Sequence, residues 1–153
     1  MAVTYASVND PVSTVVSVLS DNWSQVASNV DSTTPTIDES WDLGKTNLKN
    51  GDLIRCYEVA ANHDFLGIGD GVDKGTARVS IDISTAVSRS RLRKLYSGVV
   101  SIIRSARAGN SSTALSTDYA DVKLLSRVDQ SDKNRRWFRY VLDCEITSYE
   151  AVV

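Results

Sequence analysis

The stretch VSIDISTAVSRSRLRKLYSGVVSIIRSARAG, Val79 to Gly109, restricts the fold more than any other part of the chain. Its first half, with Ala77 and Arg78 just before it, alternates: Ala77, Val79, Ile81 and Ile83 face one way, and Arg78, Ser80, Asp82 and Ser84 the other, which is the period of a strand. Its second half repeats at three- and four-residue steps. Leu92, Leu95, Tyr96, Val99, Ile102, Ile103 and Ala106 make one apolar face of a helix. Ser88 is placed to cap that helix, and Gly109-Asn110 to close it. A strand feeding straight into an amphipathic helix must bury both apolar faces, and a helix layer packed on a sheet does so.

The remaining segments fit the same plan. In NDPVSTVVSVLSDNW, Asn9 or Asp10 can cap a first helix, and Pro11 suits its first position because the missing N–H is unpaired there anyway. Val12, Val15, Val16, Leu19 and Trp23 form its apolar face. SNVDSTTP reads as a loop and TIDESWDL as a strand with a wet, acidic face. Asn50-Gly51 marks a turn into the strand LIRCYEVAA. NHDFLGIGDGVDKG, Asn62 to Gly75, then reads as a long exposed hairpin loop, with His63, Asp64, Phe65, Gly69, Asp70, Gly71 and Asp73 at its tip. DYADVKLLSRV and RRWFRYVLDCEITSYEAV form a second hairpin around DQSDKN.

The predicted order is helix, three strands, helix, two strands. Short connections between consecutive strands favour an antiparallel pattern. The expected fold is α+β, a two-layer domain with a mainly antiparallel sheet covered by two amphipathic helices. At 153 residues one domain, 1–153, is expected, with residues 1–9 and 150–153 as flexible ends.

No run reaches the roughly 18 apolar residues that a membrane-spanning helix needs, and MAVTYASVNDPVS has no leader pattern, so synthesis in a cytoplasm is expected. Cys56 and Cys144 both fall in strand segments, where reduced, buried thiols are expected. The net charge of −2 hides a strong partition. Residues 1–52 carry seven acidic and two basic residues, while residues 83–117 carry six basic residues and no acidic one. Such polarity bears on association more than on folding.

Chemistry finds little purchase. The glycines of GIGDGVDKG sit between two strands and lack a following Lys-Ser/Thr pair, so they do not make a phosphate cradle. Asp64, Asp70 and Asp73 miss the calcium-loop spacing, and no glutamate closes the set. His63 is the single histidine, which leaves no typical catalytic zinc site and no acid–base relay. No serine lies in a G-x-S-x-G elbow, and neither cysteine has an evident histidine partner. Asp143 and Glu145 share a strand face but alternate with Arg139 and Thr147 as exposed sheet residues do. The expectation is a protein that is not an enzyme and needs neither cofactor nor metal.

Arg89, Arg93, Arg104 and Arg107 line one flank of the second helix, and KNRRWFR interleaves Lys133, Arg135, Arg136 and Arg139 with Trp137 and Phe138. A small nucleic-acid-binding module could use such a platform. The acidic N-terminal third opposes it, because neighbouring carboxylates repel phosphate. A basic flank that meets an acidic surface, within the fold or on another copy, accounts for the pattern better.

Three segments together, DPVSTVVSVL, VSIDI leading into SRSRLRKLYSGVVSIIR, and RRWFRYVLDCEITSYE, resemble the tail terminator (tail completion) and related neck proteins of tailed viruses, from about Asp10 to Tyr149. The resemblance implies an α+β domain that assembles as a hexameric ring on the end of the tail tube. It implies a structural virion protein in the tail or neck that ends tube polymerisation and joins tail to head, with no cofactor. Its partners would be copies of itself, the tail tube protein and a connector or head-completion protein, with DNA merely passing through the lumen and no membrane involved. A head-completion or connector role is the neighbouring alternative. Arg91, Arg93 and Lys94, or Arg104 and Arg107, are the expected interface, meeting Asp38, Glu39 or Asp42 of the next subunit, and the 62–75 loop would reach a partner or the lumen.

Overall fold

The computed structural model describes residues 10–31, 34–39, 51–66, 72–107, 119–132, 134 and 136–151. The fold is α+β. Helix α1 (Pro11–Val26) runs into a 3₁₀ turn (Ala27–Val30), followed by β1 (Thr36–Asp38), β2 (Asp52–Leu66), β3 (Val72–Thr85), α2 (Arg89–Arg107), β4 (Tyr119–Asp129) and β5 (Phe138–Ala151). The five strands form one sheet in the order β1-β2-β3-β5-β4. The β1–β2 pairing is parallel and the other three are antiparallel.

Local signals set the helices. The Asp10 carboxylate accepts from the Val12 N–H at 3.0 Å, and Pro11 occupies the first helical position. The Ser88 hydroxyl accepts from the Arg91 N–H at 3.1 Å. Each such cap is worth about 1 kcal/mol. Both helices pack on one face of the sheet. There Val15, Leu19, Trp23, Leu92, Leu95, Val99, Ile102 and Ile103 meet Ile54, Cys56, Val79, Ile81, Ile83, Tyr140, Leu142, Cys144 and Ile146 in one core. Val18 and Asn22 join the buried face of α1, and Val16 is only half-buried. The 3₁₀ turn replaces the first part of the expected loop; it ends at Asp31 in the left-handed conformation, φ 56°.

Gly98 lets the helices approach each other. A Cβ there would stand 3.0 Å from Trp23 Cη2 and 3.4 Å from Val26 and Val30, so a side chain would crowd the α1–α2 contact.

The expected loop at 62–75 is a correction. The β2–β3 ladder continues through it, from Asn62↔Thr76 and His63↔Gly75 to Phe65↔Asp73 and Leu66↔Val72. His63, Asp64 and Phe65 are therefore on β2 and Asp73 is on β3, while Gly69, Asp70 and Gly71 lie outside the described residues. Gly75 misled the reading. It is a strand glycine, because a Cβ there would come within 2.7 Å of the Ser148 hydroxyl on β5, and not a turn glycine. The C-terminal end differs too: Glu150 and Ala151 pair with Asp73 and Val72, so the strand continues where a flexible end was expected.

The sheet's other face is not a simple wet surface. Ser80, Asp82 and Ser84 are buried, as is Arg55 of the adjacent strand. Arg139 makes this possible. Its Nε donates to Asp82 Oδ1 at 2.9 Å and Oδ2 at 3.0 Å, its Nη2 to Oδ2 at 2.6 Å, and its guanidinium carbon lies 5.4 Å from the Trp137 ring centroid. A bidentate arginine lying flat on the strands covers the carboxylate and shields it from water.

Candidate assembly surface

Helix α2 carries six basic residues and no acidic one, yet the structure gives them different tasks. Arg91 is a correction to the expected interface. It is only 7% exposed; its Nε and Nη2 donate to Asp52 Oδ2 at 2.9 and 2.5 Å, and its Nη1 donates to the Val30 carbonyl at 2.6 Å. A guanidinium held this way is unavailable to a neighbour. Lys94 donates to both oxygens of Asp31, at 2.9 and 3.1 Å, and this hydrogen bond pulls the Asp31 carboxyl below its ordinary range. Arg107 stands 3.2 Å from Asp121, and Arg89 donates to Asp129. Arg93 and Arg104 are exposed and form no ion pair within the described residues.

The acidic candidates lie at the other end of the sheet. Asp38 is on β1, 3.7 Å from Arg55 Nε, with its side chain 38% exposed. Glu39 is exposed and accepts from the Ser13 hydroxyl at 3.1 Å. Asp42 lies outside the described residues. Within one chain, then, Asp38 and Glu39 are not brought to Arg93 or Arg104: β1 and β4 are the two edges of the sheet, and α2 packs towards β4. On the β2–β3 ribbon, His63 Nδ1 pairs with Asp73 Oδ2 at 2.8 Å, and residues 58–63 are exposed on both faces of their strand.

Periodicity missed part of this surface. Arg127 lies over two rings, 4.9 Å from the Tyr96 centroid and 4.6 Å from that of Tyr140. Strict alternation from Val122 and Leu124 places Arg127 on the far face. A bulge between Leu124 and Ser126 shifts the parity and turns Arg127 to the helix side. Adjacent to it, Ile103, Arg104, Arg107, Val122 and Leu124 line a cavity of about 230 Å³, apolar at its floor and cationic at its rim. Leu125 and Val128 on β4 are 40% and 51% exposed.

The described residues contain no cluster of three or more His, Cys, Asp or Glu able to hold a metal ion. No described helix is long and apolar enough to cross a membrane. Both cysteines are buried and unpaired. Burial pushes the Cys144 thiol up to about 12, and Cys56 is pushed up as well, first by burial and then by Cys144.

No protein-family model matches the sequence, and no curated protein matches it. The fold has a solved counterpart. A chain from the virion of a native gene transfer agent (GTA) particle is similar over 92% of this chain and 95% of its own length, with a TM-score of 0.62 and 10% sequence identity. At that identity the likeness is one of fold.

Proposed function

We propose that this chain is a structural protein of a tailed, virus-like particle. It closes as a ring, of about six copies by the family resemblance, on the head-proximal end of the tail tube. There it ends polymerisation and joins the tail to the head. Its partners on this reading are copies of itself, the tail tube protein and the connector or head-completion protein. It acts by contact and not by catalysis.

The observation that carries the reading is the agreement of architecture, along nearly the whole of both chains, with a component of a GTA virion. The disposition of charge supports it. Of the six basic residues of α2, Arg89, Arg91, Lys94 and Arg107 are each held by an aspartate of the same chain, which leaves this helix two cations for a phosphate backbone. Arg93 and Arg104 remain as surface charges suited to the acidic end of another copy.

Native mass measured over a wide concentration range, with micrographs of the same samples, tests the reading. Discrete rings that Arg93→Glu/Arg104→Glu prevents, with the chain still folded, are the expected result. Strongly salt-dependent retention of DNA or RNA without rings overturns it in favour of a nucleic-acid module.

A further inference from the structure

We infer that the β4 edge of one copy, together with the α2 flank beside it, receives the β1 edge of a second copy, head to tail. This rests on the self-assembly proposed above and names the surfaces that carry it.

The topology supplies the geometry. β1 and β4 are opposite edges of the sheet. One parallel step and three antiparallel steps separate them, so β4 runs antiparallel to β1. A second copy set beside the first in the same sense therefore offers its β1 antiparallel to the first copy's β4, the pairing whose bonds run perpendicular to the strands and are slightly the more stable per residue. On β4, Tyr119–Asp129, the outer edge has no strand partner among the described residues. An open edge of eleven residues with exposed Leu125 and Val128 is a template for another strand.

The charges select the occupant. On the helix side of the β4 edge stand Arg104, Arg127 and Arg107, the last partly neutralised by Asp121. The other side carries Lys123, which faces the same way as its cross-strand partner Glu145. At the β1 edge Glu39 lies on the helix side with Ile37, which packs on the core, and Asp38 lies on the other side with Arg55. Carrying the sheet from β4 into a neighbour's β1 places Glu39 towards Arg104 and Asp38 towards Lys123. Opposite charges meet on both faces. The helix layer agrees: α2 has no acidic residue, and α1 has no basic one. The cavity beside Arg104 leaves room for side chains of the incoming copy. The β4 bulge and its charges make the edge a poor template for a flat, uncharged strand, so the contact stays specific. Each copy has one donor edge and one acceptor edge, a heterologous contact that closes into a ring when its rotation allows.

Cysteine pairs test this without a partner protein, since the buried native thiols stay silent. Thr36 and Val128 are exposed, Thr36 on the Asp38 side of β1 and Val128 on the Lys123 side of β4. Oxidation of Thr36→Cys/Val128→Cys or Thr36→Cys/Ser126→Cys should give a ladder of covalent multimers, whereas each single variant stops at dimer. Arg104→Glu/Lys123→Glu should lose the ladder, as should Asp38→Lys/Glu39→Lys, with both variants keeping the wild-type circular dichroism. Mixing the two reversed chains, each also bearing the cysteine pair, should restore cross-linking. Rings without any ladder would place the contact elsewhere and overturn the inference while leaving the ring reading intact. Neither rings nor ladder, up to the highest soluble concentration, would overturn both. A ladder unmoved by the reversals would retain the edges and contradict the charge pairing.

Discussion

Arg91 and Asp52, 39 residues apart, form a largely buried ion pair in which two guanidinium nitrogens donate to one carboxylate oxygen. Thr85 Oγ1 donates to the other oxygen at 2.7 Å, and Arg91 Nη1 caps the Val30 carbonyl. The start of α2, the start of β2, the end of β3 and the 3₁₀ turn are thereby fixed at one corner. Removing one partner strands the other charge. Arg91→Ala or Asp52→Ala should each destabilise the chain by about 3–5 kcal/mol, while Arg91→Met/Asp52→Leu should cost far less. Denaturant unfolding of the three variants, followed by circular dichroism, measures this; equal losses in all three would contradict it.

Gly98 sets the spacing of the helices. Gly98→Leu should destabilise by about 1–3 kcal/mol through overpacking against Trp23, Val26 and Val30. Shortening the opposing ring with Trp23→Phe should make the same substitution less costly, a coupling that a double-mutant cycle reads directly.

Asp129 governs part of the acid response. Hydrogen bonds from Ser131, and then Arg89, bring its carboxyl down to about 2, from 3.8. Its folded value is depressed, so the stabilisation is present above the ordinary carboxyl value and is lost as pH falls through the folded one. Asp129→Asn should flatten the loss of stability between about pH 4 and pH 2. Thermal melts across that window measure the slope, and an unchanged slope contradicts the assignment.

The cysteines should be silent at neutral pH. With both thiols buried and Cys144 pushed up to about 12, the thiolate that reacts is essentially absent. A thiol reagent at pH 8 should label neither cysteine in the folded chain and both in denaturant. Rapid labelling of the folded chain would mean that the β3–β5 core opens.

Much of this was legible in the sequence, for physical reasons that differ by element. The helix caps at Asp10 and Ser88 are local, so residue type and position suffice. Alternation in β3 and β5 survives because both strands are central and one face must be apolar. Arg91 was misplaced as a surface charge, although the steps from Arg91 to Leu95, Gly98 and Ile102 put it on the buried stripe. What spacing could not supply was its partner Asp52, brought in only by tertiary structure. Arg127 was missed because a one-residue bulge inverts the parity of β4, and nothing in LLSRVD marks it beyond the doubled leucine. The ladder through residues 62–66 and 72–75 was hidden by Gly75, whose cause lies on a third strand.

The most direct measurement adds the purified chain to polymerising tail tubes and images the tube ends. The account predicts a ring on one end of each tube and growth that stops when the ring is bound. Tubes that lengthen unhindered with bare ends, while the chain stays unbound, would contradict it.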